Sequence, residues 1–324
     1  MGGCPIVGKA EKNLHKEVAI EVESLVKKYG DLAAVDGISF TVRRGEVFAF
    51  VGPNGAGKTT TVEMLVCLRN LTSGKAIVLD FDIRDRKGQQ QIRRRVGVLP
   101  QDFNTFDLLT VKENLSYYKK MYDGGMDIDE LIELVDLKDK ANALYKNLSG
   151  GLKKRLAIAT ALVNDPEVVF LDEPTTGLDP RARRDMWNLI GGLKEKRKTI
   201  FLTTHYMDEA EVLADTVAII SFGKIIAMES PSELISKYGG KTALIVEEGG
   251  KAVYDLLGQT LPDVRLENDG DVFATIKKKS DLPNAIVALD KNKAEFAELV
   301  VRRPTLEDVF LNLTGKKIVE GELH

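Results

Sequence analysis

Val47-Phe48-Ala49-Phe50-Val51-Gly52-Pro53-Asn54-Gly55-Ala56-Gly57-Lys58-Thr59-Thr60 decides the fold of this 324-residue chain. The first five residues form a strand-sized run that is apolar throughout, not at alternate positions. That pattern marks a strand buried on both faces, as in a parallel sheet. Residues 52–59 then fit the pattern G-x-x-x-x-G-K-[ST], and 60–68 carries helical spacing. Strand, glycine-rich turn and helix in that order make a phosphate cradle. Glycines let successive backbone N–H groups turn inward around phosphate oxygens, and the helix N-terminus adds the positive end of its dipole. In such a cradle Lys58 reaches the β- and γ-phosphates and the Thr59 hydroxyl binds Mg²⁺.

Working outward, Val168-Val169-Phe170-Leu171 is a second apolar run, and it delivers two adjacent carboxylates, Asp172 and Glu173. A strand ending in paired acids suits a phosphate site at the edge of a parallel sheet. Asp172 is expected to hold Mg²⁺ through water, and Glu173 to take a proton from the attacking water. Together with the phosphate loop these residues describe a nucleotide hydrolase. A third element, Leu148-Ser149-Gly150-Gly151, opens a helical run. Ser149 is placed as an N-cap, and the glycines leave bare N–H groups at a second anion-binding helix end.

With these three elements in order, residues 17–230 resemble the ATP-binding subunit of the ABC transporter family. The quartet 148–151 matches that family's signature motif, with Leu152 where glutamine is frequent. The resemblance implies roles for further residues. Tyr29 would stack on adenine. Gln101 would touch metal or water and begin the helical insertion that meets a membrane subunit. Asp179 would communicate across a dimer, and His205 would sense the γ-phosphate. ATP would then be held by Tyr29, by Gly52, Pro53, Asn54, Gly55, Ala56, Gly57, Lys58, Thr59 and Thr60, and by Gln101, Ser149, Gly150, Gly151 and Asp179. Thr59, Gln101 and Asp172 would face Mg²⁺, and Glu173, His205 and Lys58 would carry the catalysis. Asp179 is also well placed as a plain N-cap before Pro180.

The expected fold class is α/β: a P-loop domain over 17–230 with a helical insertion over about 102–164, plus a small C-terminal α+β domain. Strand candidates are 47–51, 97–99, 168–171, 200–203 and 217–221, and insertion helices are 111–122, 127–135 and 152–163. A tail over 1–16 precedes the domain, and a linker over 231–240 holds a short helix closed by glycines. Beyond it, over 241–324, the order reads strand 242–247, helix 250–258, strand 263–268, strand 271–277, helix 281–292, strand 296–303, helix 304–314. The first six elements are the ferredoxin-like β-α-β-β-α-β, with Asn268-Asp269-Gly270 as the hairpin turn. The ending Arg302-Arg303-Pro304-Thr305-Leu306-Glu307-Asp308-Val309-Phe310 resembles that of daunorubicin-resistance-type exporter ATPases.

Composition narrows the function classes. The chain is 44% hydrophobic, enough for a sizeable core, and 46 basic against 49 acidic residues leave a net charge of −3. That balance argues against bulk nucleic-acid binding and against disorder. Basic runs at 93–95, 181–184 and 194–198 sit among acids without interleaved aromatics and read as solvated faces. Cys4 and Cys67 make no disulfide framework, so a reducing compartment is expected. No apolar run approaches a bilayer span, and the first residues resemble neither a secretory signal nor a myristoylation site. The expectation is a cytoplasmic ATPase, dimerised by ATP and held at the inner face of the membrane by a permease subunit. The competing class is a soluble ABC ATPase of translation, repair or cofactor assembly. The single phosphate loop, the lack of a long coiled coil and the extra C-terminal module weigh against it.

Overall fold

In the computed structural model, which describes residues 17–267, 269–316, 318–319 and 322–323, the run 47–51 is a central strand buried on both faces. Two long strands precede it, β1 (Val18–Tyr29) and β2 (Leu32–Arg43), followed by β3 (Val47–Val51) and α1 (Lys58–Leu65). Next come β4 (Ser73–Val78), β5 (Phe81–Asp82), α2 (Arg86–Arg95) and β6 (Val96–Leu99). Three helices then run without a strand: α3 (Val111–Lys119), α4 (Ile128–Leu134) and α5 (Gly150–Leu162). The chain returns to the sheet through β7 (Val168–Asp172), α6 (Pro180–Glu195), β8 (Thr199–Thr204), α7 (Met207–Leu213), β9 (Thr216–Ser221) and β10 (Lys224–Glu229).

The main sheet has the order β10-β9-β3-β8-β7-β6, parallel from β9 to β6, with β10 antiparallel at one edge. Its strands alternate between two cores. Phe48, Phe50, Phe170 and Phe201 face a second, antiparallel sheet of order β2-β1-β4-β5, where Phe48, Phe50 and Phe201 meet Phe40 and Phe170 packs on Phe201. Val47, Val169, Leu171, Ile200 and Leu202 face the helices, among them Leu115 of α3, Leu131 of α4 and Ile158 of α5. Local chemistry sets the starts of the insertion helices: Thr110 and Glu113 form a capping box on α3, which begins at the expected Val111, Asp127 caps α4 through two amides, and α5 begins two residues before the expected 152. The antiparallel sheet was not among the sequence expectations.

A second compact unit spans Ser232–Lys316. After α8 (Pro231–Tyr238) it runs β11 (Thr242–Glu247), α9 (Gly250–Gly258), β12 (Arg265–Leu266), β13 (Val272–Ile276), α10 (Asp281–Lys291), β14 (Glu298–Arg302) and α11 (Leu306–Thr314). The sheet order β12-β13-β11-β14, antiparallel throughout, is that of the split β-α-β arrangement. Leu244, Val246, Val253, Leu257, Val272 and Leu289 fill its core. The strand expected over 263–268 is shorter, with two residues paired to β13. Gly270 takes the left-handed conformation of the hairpin turn. Asn268, Cys4 and the tail 1–16 lie outside the described residues. A short pair, β15 (Ile318–Val319) and β16 (Glu322–Leu323), follows. Among the described residues no helix is long and apolar enough to cross a membrane.

Candidate active site

The phosphate loop leaves β3 between two neighbouring strands. The Gly52 amide donates to the Thr204 carbonyl at 3.2 Å, and a Cβ on Gly52 would meet the Ile220 carbonyl oxygen at 2.2 Å. Only glycine fits there. Gly57, at the head of α1, has φ +105°, and a Cβ on it would lie 2.4 Å from the Ala34 carbonyl oxygen. No side chain caps α1, so its first amides have no side-chain acceptor. Gly52, Pro53, Ala56, Gly57 and Lys58 are buried, Asn54 and Gly55 are exposed, and Thr59 and Thr60 lie between.

The Lys58 ammonium is folded back into this loop. It donates to the Gly52 carbonyl at 2.8 Å and the Pro53 carbonyl at 3.1 Å, and lies 3.3 Å from Glu173 Oε1. Burial pushes Lys58 down from the usual lysine range, against the pull of Glu173 and Asp172. Because β7 and β3 both flank β8, the ends of the three strands converge. Asp172 accepts hydrogen bonds from the hydroxyls of Thr203 and Thr59, and burial raises it above the usual carboxylate range.

Glu173 is held in the left-handed region at φ +50°. Its amide donates to the Thr203 carbonyl and hydroxyl at 3.1 and 3.2 Å. Its Oε2 accepts from the Thr176 hydroxyl at 2.9 Å and lies 3.0 Å from His205 Nδ1. Burial alone would raise this carboxyl, but the His205 hydrogen bond and the Lys58 charge bring it down to about 2. The carboxylate can only accept, so Nδ1 carries the hydrogen between them.

Lys58, Asp172, Glu173 and His205 thus form one cluster with Thr59. The other expected residues make contacts of their own. Ser149 caps α5, its hydroxyl accepting from the Leu152 amide at 3.4 Å, and both Ser149 and Gly150 are exposed, with Gly151 half-buried. Asp179 caps α6 by accepting from the Arg181 and Ala182 amides, each at 3.0 Å. Gln101 is exposed, and its carbonyl lies 3.5 Å from Lys154 Nζ. Tyr29 is 41% exposed, with Lys27 Nζ 5.1 Å and Arg69 Cζ 5.4 Å from its ring centre. Sequence reading missed Thr203, Thr176 and Lys154. The threonines at the end of the buried strand Thr199–Thr204 were the one available signal, because a buried hydroxyl needs a partner.

A phosphate loop on a central parallel strand, facing paired carboxylates at the end of a near neighbour, defines a P-loop nucleotide hydrolase. The comparisons carry this to a family. The model of the ABC transporter family matches residues 35–176. The Nod factor export ATP-binding protein I of Rhizobium meliloti (strain 1021) is 40% identical over 308 residues, covering 93% of this chain and 89% of the relative. The daunorubicin resistance ATP-binding protein DrrA3 of Streptomyces coeruleorubidus is 35% identical over 307 residues, 92% of this chain and 96% of the relative. Among solved structures, cbiO1 from Clostridium perfringens, part of the transporter complex cbiONQ, superposes with TM-score 0.62 at 29% identity, covering 68% of this chain and 92% of that one. The dimeric cassette MJ0796 bound to ADP and Pi gives TM-score 0.59 at 28% identity, covering 65% and 98%. The chain belongs to the ABC transporter family, as an ATP-binding subunit with ATPase activity.

Proposed function

We propose that this chain hydrolyses ATP to power export of a substrate through a separate membrane-spanning permease, which holds it at the inner face of the cell membrane. The observation that supports this reading best is the buried Lys58–Glu173–His205 cluster beneath the phosphate loop. It stands in a chain similar over nine-tenths of its length to one ATP-binding protein named for Nod factor export and another named for daunorubicin resistance.

The chemistry follows from what the cluster already does. Lys58 is held on two carbonyls and one carboxylate, and arriving β- and γ-phosphates offer it better acceptors. Lys58 leaving Glu173 removes a charge that keeps this carboxyl down, so Glu173 becomes a stronger base when nucleotide is in place. His205, released from Glu173 at Nδ1, turns a donor toward the γ-phosphate. Thr59 and Asp172, one hydroxyl and one carboxylate joined by a hydrogen bond, fit Mg²⁺, which favours hard oxygens and keeps several waters of its own. Bound there, the ion would supply charge neutralisation at the phosphates. Gln101 is assigned to the same ion or its water, and Tyr29 to the adenine ring.

Each ATP is shared between two chains in this reading. The phosphate loop covers one side of the γ-phosphate, and the exposed Ser149 end of α5 covers the other side from a second copy. A two-fold axis uses the same patch twice.

The test is to purify the chain from its source membrane. It should bring with it a protein of several apolar spans, and Glu173→Gln should keep ATP bound while turnover stops. Recovery with ribosomes or DNA instead would remove the transport role, and a Glu173→Gln protein hydrolysing ATP at the parental rate would remove Glu173 as the base.

A further inference from the structure

We infer that Lys154 is a positioning residue for hydrolysis: its ammonium holds the backbone of Glu173 and ties it to the segment after β6. The inference rests on the reading of Glu173 as the base. A non-glycine residue in the left-handed region persists only where its surroundings hold it. On the amide side of Glu173 the holder is Thr203, whose carbonyl and hydroxyl both accept from it. On the carbonyl side, Lys154 Nζ lies 3.4 Å from the Glu173 oxygen, and the same ammonium lies 3.5 Å from the Gln101 carbonyl.

The neighbours of Lys154 are engaged elsewhere. Lys153 Nζ lies 4.8 Å from the Tyr145 ring centre, and Arg155 pairs with Asp136 at 2.8 Å and Asp185 at 3.6 Å. Lys154 alone of the three points at the site, where Glu173, Asp102, Asp172 and Glu209 supply its countercharge. It also sits on α5, the helix headed by Ser149 and Gly150. One side chain therefore joins the exposed anion end, the Gln101 segment and the base. A displacement of α5 moves the group that holds Glu173, so the placement of the second anion end feeds back on the reacting carboxylate.

Steady-state ATP hydrolysis by full-length Lys154→Met and Lys154→Arg tests this, with Glu173→Gln beside them. Lys154→Met keeps the length and removes the charge. Its kcat should fall about tenfold, the scale of one lost charged hydrogen bond. The half-saturating ATP concentration should stay within about twofold, since no nucleotide contact is lost. Lys154→Arg, which restores the charge, should return kcat to within about threefold of the parent. Parental kcat in Lys154→Met overturns the inference. So does a tenfold loss that Lys154→Arg does not repair, or one accompanied by weakened ATP binding, because either assigns Lys154 to the fold or the nucleotide pocket. If Glu173→Gln itself turns over normally, the base reading fails. If Glu173→Gln is inactive and Lys154→Met is not, the positioning role alone fails.

Discussion

Two helix ends in this molecule offer glycines and free amides to an anion, and they are built in opposite ways. The end of α1 is buried, uncapped and entered through a left-handed glycine, with a lysine ammonium 3.3 Å from a glutamate. The end of α5 is exposed, capped by a neutral serine, and its Gly150 has nothing within 4 Å of a would-be Cβ. The first is complete within one chain: loop, ammonium, carboxylates and imidazole gather at the ends of three adjacent strands. The second presents hydrogen-bond donors to solvent and no charge. On the proposed two-chain reading, the difference teaches that the chain carries its chemistry inside and only half of its binding surface.

The largest effect that could break this comparison is all-or-none. One protomer carries Lys58→Ala and another Ser149→Arg, both on a Glu173→Gln background so that bound ATP stays intact. If each ATP lies between the α1 end of one chain and the α5 end of the other, the mixed dimer keeps one undamaged site and traps one ATP. If both ends act within a chain, every site is damaged. Trapping no better than with either mutant alone would make the exposed α5 end a mere capped helix.

How much of this was legible beforehand follows from the physics of each part. The parallel strands were readable because burial on both faces makes them apolar without interruption, and the motifs because their residues lie close together in sequence. The antiparallel sheet was not. Val18–Tyr29 carries several register shifts against β2, so its period-two pattern breaks and does not mark a single strand. The meeting of Lys58, Glu173 and His205 was readable as roles but not as contacts, because only the strand order β3-β8-β7 brings the three strand ends together. Thr203 and Lys154 carried no motif at all. Their work depends on a backbone carbonyl or amide being in reach, which sequence does not encode locally.

A smaller effect sharpens the electrostatic side of the contrast. Glu173 lies at about 2, below its ordinary 4.5, with Lys58 among the causes. A carboxyl lowered on folding adds stability at pH above about 4.5, and that contribution is lost as the pH falls from there toward 2. Lys58→Met should raise the Glu173 titration, seen in its side-chain carboxyl carbon by NMR, and the acid loss of stability should begin at higher pH. A non-hydrolysable ATP analogue on the parental protein should act in the same direction, by drawing Lys58 to the phosphates. A Glu173 titration untouched by both would show that the pair is not electrostatically coupled.

The smallest effect uses one substitution at both ends. Gly57→Ala places a methyl 2.4 Å from the Ala34 carbonyl oxygen at φ +105°, a conformation that alanine resists. About 2 kcal/mol of stability should be lost, read as a lower denaturant midpoint. Gly150→Ala meets open space with an ordinary helical backbone, and reducing the freedom of the unfolded chain should leave stability unchanged or raise it by about 0.5 kcal/mol. Binding should go the other way for that variant. Its methyl stands on the surface assigned to a second chain's phosphate, so the Glu173→Gln, Gly150→Ala protein should fold well and trap ATP as a dimer less readily. A stable Gly150→Ala protein that traps ATP as well as its parent would show that no phosphate approaches the α5 end. One that unfolds as readily as Gly57→Ala would show that this turn, like the phosphate loop, needs glycine for its own folding.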